Sequence, residues 1–131
     1  MDYISTRNSK INSTFIEVFI NALAPDSGLY VPKKLPIFLS KELNNLKKLT
    51  YRELASNIIF KFCSDEFKKS EIDEIVEKSY KNFREKEVVA LKKYDKIYLL
   101  ELFHGPTLAF KDIAMQVIGN MYDKILSKKN N

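Results

Sequence analysis

The chain of 131 residues offers little for covalent or metal chemistry: one histidine (His104), one cysteine (Cys63) and three arginines among 22 basic residues. Lys111 has the surroundings that point most directly to reactivity. A lysine amine attacks an aldehyde only when neutral, and an ordinary pKa of about 10.4 opposes that near pH 7. Partial burial and the positive end of a helix dipole both disfavour the ammonium. The sequence predicts both influences at Lys111. Residues 97–103 read as a strand, His104-Gly105-Pro106 breaks it, and Thr107 reads as the N-cap of a helix running to about Ser127. That helix has an apolar face of Phe110, Ile113, Ala114, Val117, Ile118, Met121 and Ile125, with Lys111 at its edge in the first turn. Position alone does not decide the matter, since lysines commonly lay their stems along apolar helix edges with no chemical role.

Other chemistries are excluded more readily. One His and one Cys forty residues apart make a poor zinc site, and a single Cys forms no intrachain disulfide, so a reducing compartment is expected. Only three glycines (Gly28, Gly105, Gly119) occur, too widely spaced to write a dinucleotide fingerprint or a P-loop. The net charge of +5 is dispersed: seven basic and four acidic residues fall in 1–50, eleven and ten in 51–100, four and three in 101–131. Dispersed lysine describes a solvated surface, so no nucleic-acid partner is expected. The N-terminus lacks the basic and apolar regions of a signal peptide, and no run approaches the roughly 18 apolar residues of a membrane span. The expectation is a soluble cytoplasmic protein with no membrane partner.

The elements that must position Lys111 follow from local signals. Thr14-Phe15-Ile16-Glu17 is a capping box opening a helix with Phe15, Val18, Phe19, Ala22 and Leu23 on one face, ending at Ala24-Pro25. Residues 25–36 concentrate three prolines and a glycine, which predicts two turns around a short extended piece, with Asp26 and Gly28 serving turn chemistry. Ser40 reads as the cap of a short helix to about Leu46. Thr50-Tyr51-Arg52-Glu53 repeats the capping box before Leu54, Ala55, Ile58, Ile59 and Phe62. Ser70 reads as the cap of a third helix facing inward with Ile72, Ile75, Val76, Tyr80 and Phe83. Residues 88–91 and 97–103 read as short strands separated by the polar stretch 92–96. Cys63, beside Ile59 and Phe62, reads as a buried hydrophobe. The expected fold class is therefore mixed α/β (α+β), helices with short strands.

The string Leu100-Glu101-Leu102-Phe103-His104-Gly105-Pro106-Thr107-Leu108-Ala109-Phe110-Lys111-Asp112 closely resembles the segment of threonine synthases that contains the lysine bound to pyridoxal phosphate. Tyr3-Ile4-Ser5-Thr6-Arg7, Thr14-Phe15-Ile16-Glu17 and Leu23-Ala24-Pro25-Asp26-Ser27-Gly28-Leu29-Tyr30-Val31-Pro32 resemble the opening of that family, in the same order. The resemblance spans essentially the whole chain. It implies a pyridoxal-phosphate enzyme of fold type II that converts O-phospho-L-homoserine and water into L-threonine and phosphate. Lys111 would be both the catalytic and the cofactor-binding residue, holding pyridoxal phosphate as a Schiff base and then serving in proton transfer; no metal is implied. His104 is either structural or a contact for substrate phosphate. Asp112 either orients the site or simply favours the helix N-terminus. Arg7 is either an exposed terminal residue or an anion contact.

The resemblance also implies a division into an N-terminal domain over 1–96 and, from 97–131, the start of the cofactor domain. Family members run to several hundred residues and grip the cofactor phosphate in a Ser/Thr/Gly-rich loop beyond the lysine helix. The sequence in hand ends with that helix, so the expectation is the N-terminal part of a threonine synthase, inactive by itself. The alternative is a non-catalytic interaction module that complements a separate chain carrying the remaining domain.

Overall fold

The computed structural model describes residues 1–129. It has the expected mixed α/β character, with five helices and short antiparallel strands. Strands β1 (Tyr3–Ser5), β2 (Asn12–Ser13) and β3 (Tyr30–Pro32) form one sheet in the order β2-β1-β3. Tyr3 pairs with both Ser13 and Pro32, so the chain start is the centre of the sheet. Of these strands the sequence signalled only the extended piece that became β3. Runs of two or three residues are too short to show alternation.

Helix α1 (Phe15–Asn21) begins with the predicted capping box: the Glu17 amide donates to Thr14 Oγ1 and the Thr14 amide to Glu17. It ends earlier than expected, because Ala22 adopts φ 60° and leaves the helix before Pro25 is reached. Ala22 and Leu23 are consequently exposed. Helix α2 (Ser40–Leu46) occupies the expected residues, but its N-cap is Leu39, whose amide donates to Glu42.

The core lies between α3 (Tyr51–Cys63), α4 (Lys69–Tyr80) and α5 (Asp112–Lys129). Thr50 and Glu53 cap α3 reciprocally, as predicted; losing such a cap costs about 1 kcal/mol. Helix α4 starts earlier than the Ser70 signal, with the Lys68 amide donating to Glu71. Its predicted inner face holds: Ile72, Ile75, Val76 and Tyr80 are buried, and Phe83 follows them into the core. The inner face of α3 is rotated from the expected one. Ile58 is exposed, and Ser56 is buried instead because its hydroxyl donates to Asp73 of α4 at 2.6 Å and accepts from Lys69 at 2.9 Å. Cys63 is buried as expected, its thiol pushed up to about 12, chiefly by burial.

Helix α5 seals this core with Val117, Met121 and Ile125. It also meets the first helix: the Tyr122 hydroxyl donates to the Phe19 carbonyl at 2.8 Å, with ring centroids 4.7 Å apart. Between α4 and α5 the chain forms a hairpin of β4 (Ala90–Tyr94) and β5 (Ile97–Glu101), paired from Ala90 with Glu101 to Tyr94 with Ile97. Lys92, Lys93 and Tyr94 belong to β4; the predicted linker is only Asp95 and Lys96, with Asp95 at φ 51°. Val88, expected to open the strand, is instead a left-handed residue (φ 67°) whose side chain is fully buried in the core. Such a β-branched residue accepts that backbone only where packing holds it.

Candidate functional site

The segment between β5 and α5 carries the residues with chemical potential, and its geometry departs from the expected helix. Helix α5 begins at Asp112, and residues 105–111 form turns. Lys111 is the residue before the helix, its carbonyl accepting from the amides of Ala114 (3.1 Å) and Met115 (2.9 Å). Leu108 breaks the predicted first turn: it lies at φ 64°, its amide donating to the Gly105 carbonyl at 3.2 Å. Phe110, expected on the apolar face, is 64% exposed. Lys111 is exposed too, so the burial predicted beside it is absent. Its position next to the helix N-terminus remains.

Asp112 organises this loop. Its carboxyl is buried and accepts from the Thr107 amide at Oδ2 and the Thr107 hydroxyl at Oδ1, both at 2.8 Å. Thr107 is therefore a donor to Asp112 and not the helix cap its type suggested. Gly105 makes room for the arrangement, since a Cβ there would collide with the Asp112 carboxyl. Glycine is required at this position for close approach, not for positive φ.

His104 is tied into the fold by two contacts. Its Nε2 lies 2.9 Å from Glu101 Oε2, and its carbonyl accepts from the Arg84 amide at 2.8 Å. Glu101 is buried at the end of β5 and also meets Lys92 Nζ at 3.1 Å. The Lys92 hydrogen bond, followed by that of His104, holds the Glu101 carboxyl below the usual range against the opposing effect of burial. Sequence reasoning missed this linkage. Its only signal was an acidic residue inside an otherwise apolar run.

The remaining candidates lie elsewhere. Asp26 accepts from the Ser5 hydroxyl (2.7 and 2.9 Å) and the Gly28 amide (2.9 Å), which lower its pKa, the Ser5 bond most. This is the predicted turn chemistry. Arg7 is exposed and reaches only the Asp26 carbonyl, at 3.3 Å. Among the described residues no group of three or more His, Cys, Asp and Glu could hold a metal ion, and no helix is long and apolar enough to cross a membrane.

The residues present fit one end of pyridoxal phosphate and not the other. The Lys111 amine is exposed at the end of a braced loop, and among the described residues nothing hydrogen-bonds to it. A phosphate cradle is a different matter. The space beside Gly105 is taken by Asp112, that beside Gly28 by Ser5, and Gly119 stands in open space on α5.

Comparison with known proteins gives consistent results. Residues 2–80 match the family model described as threonine synthase N terminus. A threonine synthase of Pseudomonas aeruginosa is 39% identical over 130 residues, covering 98% of this chain and 28% of that protein. Among solved structures, the pyridoxal-phosphate-bound threonine synthase of Brucella melitensis superimposes with a TM-score of 0.94 at 35% identity, covering 100% of this chain and 28% of that one. The threonine synthase of yeast gives 0.93 at 36%, covering 98% and 27%. The chain thus spans a little over a quarter of the length of the relatives it matches.

Proposed function

Because the chain belongs to the threonine synthase family, through that family's N-terminal region, we propose that it supplies the N-terminal part and the cofactor lysine of an enzyme converting O-phospho-L-homoserine and water into L-threonine and phosphate. In this reading residues 1–96 form the N-terminal unit and 97–131 open the cofactor part. The carrying observation is the likeness over the whole chain to threonine synthases, one of them solved with pyridoxal phosphate bound.

The chemistry the group supplies when bound is an electron sink for the bonds that break as phosphate leaves. Lys111 Nζ would hold the group and would carry protons to and from the substrate. The start of α5 holds the carbonyl side of Lys111. His104, held by Glu101, braces the strand end from which the loop departs. Phosphate and substrate are gripped by the part of the fold that this chain does not span, so the chain alone does not turn over. The exposed Ile97, Leu99, Leu100 and Phe103 support that reading: they offer a surface for the remaining cofactor domain.

The test adds pyridoxal phosphate to the purified chain, reduces with borohydride and maps the adducts by peptide mass. The expected result is labelling at Lys111 above each of the other eighteen lysines. Equal labelling overturns the idea that this chain by itself retains a cofactor site.

A further inference from the structure

The loop before α5 contains a buried carboxyl whose bonds all point back along its own chain. Asp112 is 4% exposed, and both of its oxygens are engaged by one residue, Thr107, five positions earlier. The Asp112 amide in turn donates to the Ala109 carbonyl at 3.0 Å. Residues 107–112 are therefore closed into a ring by side chain and backbone together. Within that ring Leu108 is left-handed, a conformation costing a non-glycine residue about 1–3 kcal/mol unless its surroundings hold it. Lys111 sits between the clamp and the first helical hydrogen bonds, which its carbonyl accepts. Neither constraint alone fixes the Lys111 backbone: the helix holds the carbonyl side, and the clamp holds the amide side through Ala109 and Phe110.

We propose that Asp112 is a positioning residue, whose grip on Thr107 against the face of Gly105 fixes the direction in which Lys111 leaves the backbone. This rests on the reading of Lys111 as the cofactor lysine and adds how that lysine is held. Asp112 does not touch the cofactor; it acts through the loop. A carboxyl serves because it accepts on two oxygens at once. An amide could keep both contacts, its oxygen accepting from the Thr107 amide and its NH2 donating to the Thr107 hydroxyl oxygen, so Asp112→Asn does not open the clamp. Asp112→Ala removes both bonds at once.

The experiment uses the full chain, with Asp112→Ala and Thr107→Val compared with the parent. Two readouts are taken: amide hydrogen exchange, and the pH profile of Lys111 acylation by an amine-reactive ester, normalised to the other lysines. In Asp112→Ala the Thr107 and Leu108 amides exchange at least tenfold faster, while those of Ile72 and Met121 change less than twofold. The Lys111 profile shifts while the others stay in place. Thr107→Val, which removes only the hydroxyl bond, gives the same changes at smaller amplitude. Unchanged exchange at Thr107, an unmoved Lys111 profile, or protection lost equally from the core overturns the proposal. Pyridoxal phosphate trapping on the parent separates the two readings. If Lys111 is not preferred there, this chain retains no cofactor site of its own, whereas failure of the clamp is read from exchange and acylation without any cofactor.

Discussion

Ile72 and Ile97 are the same residue in opposite circumstances: the first is fully buried among α3, α4 and α5, the second is 71% exposed on the hairpin. The contrast extends to their elements. Helix α4 spends all its apolar residues on one face and charges the other, so one partner layer on that face satisfies it. Strand β5 has an unbroken Ile-Tyr-Leu-Leu run with no polar alternation, the pattern of a strand covered on both faces, yet all four side chains are exposed. The inner faces of α3, α4 and α5 are buried against one another, with Ile58, Met115 and Leu126 left on their outer sides. The hairpin leaves its whole apolar run uncovered.

The comparison can be broken or sharpened by substitution. Ile72→Ala, in the closed region, is expected to cost about 2–5 kcal/mol in urea unfolding; a loss below 1 kcal/mol would mean the three-helix core is looser than its packing implies. Gly105→Ala pushes a methyl into the Asp112 carboxyl and is expected to cost about 1–3 kcal/mol. Its signature is local, with faster exchange at Thr107 and little change at Met121. If both sites lose protection together, the loop and the core are one cooperative unit and the division drawn here fails.

Acid probes the junction of the two regions. Glu101 has a lowered pKa, so its contribution is complete above the ordinary glutamate value of about 4.3 and is lost as pH falls through the lower folded value. A carboxyl-carbon titration by NMR should place Glu101 below the exposed glutamates, and Lys92→Met should raise it. A midpoint at or above theirs would remove the Lys92–Glu101–His104 link from the account. The smallest effect is expected from Ile97→Ala, within about 0.5 kcal/mol of the parent. A larger loss would mean that the hairpin finds cover within this chain.

What could be read from the sequence follows the same division. The boxes at Thr14–Glu17 and Thr50–Glu53 are complete within four residues, and both form as read. The caps at Leu39 and Lys68 are not signalled by Ser40 and Ser70, since Glu42 and Glu71 bond back to whichever residue stands three positions earlier. The inner face of α4 was legible because periodicity decides it. That of α3 was not, since burial of Ser56 depends on Asp73, which belongs to another helix. At the site, the motif located Lys111 but the residue types misled. Thr107 has the chemistry of an N-cap, and only the turned backbone at Leu108 gives it to Asp112 instead. Left-handed leucine and valine have no sequence signature.

The clasp between Phe19 and Tyr122 joins residues 103 positions apart, and with it α5 brings the last three large side chains of the core. During synthesis at roughly 5–20 residues per second, the inner face of α4 leaves the ribosome seconds before Met121 and Ile125 exist to cover it. The hairpin and the Lys111 loop are made in that interval. The Lys111 loop is thus drawn into place by a helix that follows it, and the core of α3 and α4 closes only after Lys111 has already been laid down.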